Sequence, residues 1–374
     1  MFYFNVNYVN CFNFDNWVNI NKIDHSKLDN KHRHINPKLK QKIKSTKHNF
    51  SLEELYNGIL QQDRFILSKA ITLVESTRKV DREKSILLQE KINAHTSVTP
   101  RIVITGAPGV GKSTFINTLG RLIIQKGLSI AILATDPSSA ISKGSILGDK
   151  TRMAELSTED KAYIRPSPSG DHLGGVSSTT LETINICELA GFDYILIETV
   201  GVGQSEYLSY NMSDLFILLI SPGGGDELQG IKRGIVEMAD MICINKADGD
   251  QKQQALLTAK QYKNGTHFLT NQRSNWDTKI MEISALENTG MDYLLSEIEN
   301  YISKRRSNGA LQAERKKQNA SILAEKTKQY ILETATQKPA IKSHSKALNE
   351  RVRQGNISLS KAIYEMKENV DINI

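Results

Sequence analysis

The sequence predicts an α/β fold: a mainly parallel sheet covered by helices, with helical extensions before and after it. Three observations predict this. From residue 101 onward short apolar runs recur, and helical patterns separate most of them. The runs are apolar on both faces, as strands covered on both sides must be. A glycine-rich phosphate-binding pattern sits between the first run and the helix after it, the context such a loop requires.

Residues 1–35 read as a disordered extension. Asn5, Asn7, Asn10, Asn13, Asn16, Asn19 and Asn21 alternate with aromatic residues and valine, and neither a secretory signal nor the Arg- and Ser-rich bias of a mitochondrial presequence is seen. His25, His32, His34 and His48 fall in or near it, but their irregular spacing does not suit a metal site. Residues 36–98 read as an N-terminal helical region. Within it Leu52, Leu55, Ile59 and Leu60 form one apolar stripe, and Phe65, Ile66, Ala70 and Leu73 the next.

Residues 99–306 carry the nucleotide-binding pattern. Strands are expected at 101–105, 129–135, 162–165, 194–198, 215–221, 241–245 and 280–284, with a helix at 112–125. Residues 307–374 read as three helices, at 311–336, 345–354 and 359–369, and hold no chemical motif. Helices outside a finished α/β core suit assembly, so this is the expected dimerisation region.

Composition narrows the function. With 39% hydrophobic and 24% charged residues the chain has material for a core and does not read as disordered. Its most apolar run, 215–220, is far too short to span a bilayer. The three cysteines, Cys11, Cys187 and Cys243, are dispersed, which suits reduced thiols in the cytoplasm and excludes a Cys-rich zinc site. The overall charge of +7 belongs to the ends: residues 1–50 carry +6, 301–374 carry +8, and the body between them −7. A nucleic-acid domain would place its basic charge in the body, so neither nucleic acid nor membrane is an expected partner.

The motif Gly106-Ala107-Pro108-Gly109-Val110-Gly111-Lys112-Ser113 fits G-x-x-x-x-G-K-[ST]. Its glycines let backbone N–H groups curl around phosphate oxygens, and the helix N-terminus adds favourable partial charge. Lys112 should reach the β- and γ-phosphates; Ser113, with Thr114 beside it, should ligate Mg²⁺. Asn245-Lys246-Ala247-Asp248 resembles the NKxD element of GTP-binding proteins. A carboxylate at Asp248 accepts from both guanine N1–H and the 2-amino group, a donor pair adenine lacks. Asn245 and Lys246 would shape the loop around the base. Ser284-Ala285-Leu286 resembles the third base-contacting element, at the end of another strand.

Glu198-Thr199-Val200-Gly201 resembles the DxxG switch with Glu for Asp. Glu198 is thus a metal candidate, and the Gly201 N–H a sensor of the γ-phosphate. Asp136 and Asp149 are candidates for Mg²⁺ or for the attacking water; Asp149 is equally suited to cap a helix. No glutamine follows Gly201, Gln204 lies three residues beyond it, and Arg152, Arg165 and Arg233 are candidate fingers or plain surface charges. Slow intrinsic hydrolysis follows, accelerated when a partner orders the switches.

Together the segments GAPGVGKST, DPSS, GSILGDKTRM, RPSPSGDHLGGVSSTT, ETVGVGQSE, PGGGDELQGIKRGI and NKAD resemble the MeaB/ArgK-type GTPases across about residues 101–290. The resemblance implies a SIMIBI-class G protein with the P-loop NTPase fold. It implies a homodimeric chaperone of adenosylcobalamin-dependent acyl-CoA mutases, mainly methylmalonyl-CoA mutase. Such a protein binds GTP, GDP and Mg²⁺, gates cofactor delivery from a cobalamin adenosyltransferase, and removes damaged cofactor. It further implies switch I at 136–152, switch II at 198–206 and an additional switch at 223–234, where Lys232 would contact switch or partner machinery. The sequence departs from the family pattern at Gly170-Asp171-His172 and over residues 1–35. The rival readings are a P-loop kinase, which has no use for a guanine-reading Asp248, a SIMIBI metallochaperone, and a scaffold that binds nucleotide without hydrolysis.

Overall fold

Three short helices lead into the sheet: α1 (Leu52–Leu60), α2 (Arg64–Val74) and α3 (Lys79–Asn93) in a computed structural model of the protein. The structure describes residues 50–95, 99–136, 153, 155–168, 179–199, 205–223, 233–266 and 276–373, and gathers Ser51–Ile374 into one compact unit. The expected extension at 1–35 lies outside the described residues. α1 starts at a reciprocal cap: the Glu54 N–H donates to Ser51 Oγ at 3.1 Å, and the Ser51 N–H to Glu54 Oε2 at 2.7 Å. Asp63 caps α2 by accepting from the N–H groups of Phe65 and Ile66.

The strands are β1 (Arg101–Gly106), β2 (Ile130–Asp136), β3 (Ala162–Pro168), β4 (Tyr194–Glu198), β5 (Leu215–Ile220), β6 (Met241–Ile244) and β7 (Lys279–Glu282). They form a seven-stranded sheet in the order β3-β2-β4-β1-β5-β6-β7, every adjacent pair parallel. β1, β4, β5 and β6 are buried along their whole length, which is why they read as apolar runs rather than alternating ones.

Two expectations shift. β3 runs to Pro168, beyond the expected end at residue 165. Prolines lack the N–H that an inner strand must donate, but β3 lies at the sheet edge and among the described residues pairs only with β2, so Pro166 and Pro168 are tolerated. β7 stops at Glu282, short of the expected residue 284. Ser284 instead forms an antiparallel bridge with Thr289, so the segment expected to contact the base is a tight turn beyond the strand.

Helices α4 (Lys112–Gln125), α5 (Thr180–Leu189), α6 (Ser205–Tyr210), α7 (Arg233–Met238), α8 (Lys252–Thr266) and α9 (Met291–Ser307) follow strands or turns along the chain. Phe115, Ile116, Leu119 and Ile123 of α4 and Leu294, Leu295, Ile298 and Tyr301 of α9 share one core with Ile102, Ile104, Ile132, Leu196 and Ile217. The lead-in helices are fastened by polar ties: Arg64 donates to the carbonyls of Glu159, Asp160 and Ala162, and Gln62 to that of Ala190.

After the sheet come α10 (Ala310–Gln337), α11 (Pro339–Arg353) and α12 (Leu359–Asn373). α11 begins six residues earlier than the expected start at 345, with Pro339 in its first turn, where the missing N–H has no intrahelical partner to lose. The start of α10 is pinned to the sheet. Arg315 donates to Asp214 at 2.9 and 2.5 Å, to Glu188 at 3.1 Å and to the Thr99 carbonyl at 2.6 Å, and Gln318 to the Ser213 carbonyl at 2.6 Å. Leu348 of α11 and Ile357 and Ala362 beyond it form a small core of their own.

Candidate nucleotide site

β1 delivers the phosphate loop at the centre of the sheet. Gly106 ends it at φ +147°, where a Cβ would lie 2.5 Å from the Leu219 carbonyl oxygen of β5. Gly111, at φ +97°, starts α4, where a Cβ would lie 2.7 Å from Asn245 Nδ2. Both are positions of close approach and left-handed backbone, so only glycine fits. Val110 between them is buried and plugs the loop into the core. The loop thus presents the N-terminus of a 14-residue helix, with its unpaired N–H groups and positive dipole end, to an anion.

Lys112 folds back over that loop, its Nζ donating to the Gly106 carbonyl at 2.7 Å and the Ala107 carbonyl at 3.2 Å. Burial lowers its pKa, and the charges of Glu198 and Glu206 oppose that shift. Ser113 Oγ donates to Glu198 Oε1 at 3.3 Å. A hydroxyl and a largely buried carboxylate at the phosphate end of the cleft are hard oxygen donors, the set that fits Mg²⁺, which takes one or two carboxylates beside phosphate oxygens.

The base side is built around Asn245, buried at the end of β6. Its Nδ2 donates to the Val110 carbonyl at 2.9 Å, and its Oδ1 accepts the Ala285 N–H at 3.1 Å. Lys246, at φ +59°, lays its Nζ on the Gly109 carbonyl at 2.8 Å. Asn245 and Lys246 therefore stitch the loop to the phosphate loop. Asp248 accepts a close hydrogen bond from Ser284 Oγ, which itself takes the Glu287 N–H at 3.0 Å. These segments enclose a cavity of about 420 Å³ lined by Gly111, Thr114, Asn245, Lys246, Asp248, Ala285 and Leu286.

The structure thus brings Gly106 to Thr114, Glu198, Asn245 to Asp248 and Ser284 to Leu286 into one cleft at the C-terminal ends of the parallel strands, where α/β sheets bind ligands. Leu286 contributes at the rim, with its side chain exposed. Asp136 closes β2, two residues beyond Ala134, whose register partner is Glu198. Asp149, Gly201 and Lys232 lie outside the described residues, as do Arg152, Gln204 and the 170–172 departure. Arg165 is engaged by Glu75, just after α2, so among the arginine candidates it has a structural partner.

Sequence reasoning missed the turn Gly249–Gln251, whose residues line the same cavity. It placed Glu206 only at the end of switch II and not, as the structure does, buried and acting on Lys112, and it gave no role to Thr118, whose Oγ1 donates to the Ala285 carbonyl at 2.7 Å. No local pattern shows the contacts these residues make; only their neighbours in space do.

Comparison with known proteins agrees with this geometry. The sequence profile of the family described as methylmalonyl-CoA mutase-associated GTPase MeaB matches residues 67–340. GTPase ArgK of Escherichia coli (strain K12) is 42% identical over 75% of this chain and 85% of its own length. The mitochondrial methylmalonic aciduria type A homolog of Mus musculus is 40% identical over 83% of this chain and 77% of its own. A crystal structure titled LAO/AO transport system kinase superposes with a TM-score of 0.70 at 32% identity, covering 86% of this chain and 97% of that one. A P-loop on a central parallel strand, a guanine-type loop braced against it and this similarity over most of the chain lead to one conclusion: the protein belongs to the MeaB family of methylmalonyl-CoA mutase-associated GTPases.

Proposed function

We propose that this GTPase is a Mg²⁺-dependent chaperone that gates adenosylcobalamin loading of an acyl-CoA mutase, methylmalonyl-CoA mutase first among them, and protects or reactivates it. The observation that carries the reading is the bracing of Asn245 against the phosphate loop beside Asp248, itself held by Ser284, which would tie guanine recognition to the phosphate site in one cleft. The family description supports methylmalonyl-CoA mutase as the partner.

Phosphoryl transfer needs positioning and charge neutralisation more than covalent help. The first N–H groups of α4 would hold the β- and γ-phosphate oxygens. Lys112 would leave the Gly106 and Ala107 carbonyls to place its ammonium against the same oxygens. Ser113 and Glu198 would hold Mg²⁺, with Asp136 and Asp149 as further candidates, and Mg²⁺ would supply neutralisation of the phosphate charge. Asp248 would take guanine N1–H and the 2-amino group, steadied by Ser284. Gly201 and Lys232 keep the sensing and partner-facing roles proposed for the switches. Val202 occupies the place after Gly201 where a water-orienting glutamine would sit, which favours slow turnover until a partner orders the switches.

We place self-association on the C-terminal helices, where Leu323, Tyr330, Ile331 and Leu332 of α10 are exposed. The cobalamin adenosyltransferase enters only indirectly, as the source of the cofactor. The cytoplasm is the compartment we assign, from the reduced thiols. Among the described residues no helix is long and apolar enough to cross a membrane. A metallochaperone role is disfavoured because burial pushes the Cys187 and Cys243 thiols up to about 12, leaving no ready thiolate among the described residues.

GTP hydrolysis by the purified protein, with and without methylmalonyl-CoA mutase, tests the reading, with Lys112→Ala as control. Expected are a slow basal rate, a rise with the mutase, and loss of both in the variant. A rate indifferent to the mutase overturns the chaperone assignment and leaves the GTPase standing.

A further inference from the structure

We propose that Thr118, which lies in none of the nucleotide motifs, is a positioning residue of the guanine pocket. The inference rests on the reading of the cavity beside Asp248 as that pocket.

A threonine inside a helix ordinarily returns its hydroxyl to the carbonyl four residues back. Thr72, Thr183, Thr258, Thr327 and Thr336 all do so here, at 2.8 to 3.0 Å. Thr118 instead donates out of α4 to the Ala285 carbonyl, 167 positions away in sequence, at 2.7 Å. The Ala285 N–H in turn donates to Asn245 Oδ1 at 3.1 Å. The Ala285 backbone is thereby held from both sides, by the helix that starts the phosphate site and by the residue that braces the base loop.

The Ala285 carbonyl and the Leu286 N–H belong to one planar trans peptide. Fixing the carbonyl on Thr118 therefore also fixes the direction of the Leu286 N–H. Ala285 and Leu286 form one wall of the cavity. Two other ties join base loop to phosphate loop: Asn245 to the Val110 carbonyl and Lys246 to the Gly109 carbonyl. Neither reaches the wall at residues 285 and 286 from the helix side; Thr118 does. Its hydroxyl sets the distance between that wall and the phosphate-binding helix, so nucleotide affinity and base preference depend on it while the phosphoryl-transfer groups do not.

The test is Thr118→Val, which keeps the shape and removes the donor, beside Thr118→Ser, which restores it. Kd for GDP is read by fluorescence titration, and KM and kcat for GTP and ATP by steady-state hydrolysis. Thr118→Val is expected to raise the GDP Kd and the GTP KM about tenfold, the loss of one hydrogen bond with a stranded carbonyl. The preference for GTP over ATP should fall with them, kcat should stay within about twofold, and Thr118→Ser should recover the wild-type values. A Thr118→Val protein that is less heat-stable but keeps its GDP affinity and base preference assigns the bond to structure alone and overturns the proposal. So does a loss that serine fails to rescue. Wild-type protein without a preference for GTP, or an Asp248→Asn variant with unchanged preference, instead sinks the guanine pocket itself, and the role of Thr118 with it.

Discussion

At the scale of single residues, the side chains of the candidate nucleotide cleft are held by one another and by backbone. Asp248 is braced by Ser284, and Asn245 spends both ends of its amide on protein backbone. Asn245 thus ties the phosphate loop to the turn at Ala285. Asp248→Asn tests the reading of the base by hydrogen-bond arithmetic. An amide offers one acceptor and one donor where guanine needs two acceptors, whereas xanthine carries a keto oxygen in place of the 2-amino group. Loss of two charge-assisted bonds of about 1.5 kcal/mol each should raise the GTP KM about a hundredfold. Hydrolysis of xanthosine triphosphate should appear at the same time, and steady-state assays with both nucleotides decide it.

At the scale of elements, the sheet and the C-terminal helices meet in a buried ion cluster. Arg101 grips Glu188 through two bonds of 2.8 Å, and Arg315 of α10 spans Glu188 and Asp214. Burial alone would push the Asp214 carboxyl up, but the Arg315 hydrogen bond and charge outweigh it, with Arg101 adding, and hold it below the usual 3.8. A carboxylate depressed in the folded state stabilises above its unfolded pKa and loses that contribution as pH falls through the folded value. Arg315→Met strands buried charge and should cost about 3–5 kcal/mol at neutral pH. Chemical denaturation as a function of pH should show that difference shrinking below 3.8, as Asp214 gains its proton in the wild-type protein. A difference that stays constant with pH would assign the cost to packing of the arginine stem.

At the scale of the whole molecule, α10 carries two kinds of surface. Its first half is pinned to the sheet by Arg315 and Gln318, with Leu311 and Ile322 buried. Its second half exposes Tyr330, Ile331 and Leu332, far from any motif. If a second copy covers this half, Ile331→Asp with Leu332→Asp should convert dimer to monomer in light scattering while basal GTP hydrolysis persists. An unchanged mass would move the self-association surface elsewhere. The cleft is formed entirely by elements between β1 and the turn after β7, so hydrolysis by the monomer is the expected outcome.

The sequence by itself determined the parallel sheet and the loops that bind nucleotide. Both depend on local chemistry: strands buried on both faces must be continuously apolar, and a phosphate loop must be glycine-rich and placed between strand and helix. That is why β1, β4, β5, β6 and α4 were legible, and why Gly106 to Ser113, Glu198 and Asn245 to Asp248 stood out as candidates. Only the tertiary structure decided what depends on distant neighbours. The edge position of β3 admits Pro166 and Pro168 to a strand, and the bridge to Thr289 turns Ser284 out of β7 and onto Asp248. Likewise Thr118 meets Ala285, and Arg315 meets Asp214 and Glu188, across separations of more than a hundred residues. Such contacts leave no periodicity behind, because a hydrogen bond constrains two positions and not the pattern between them.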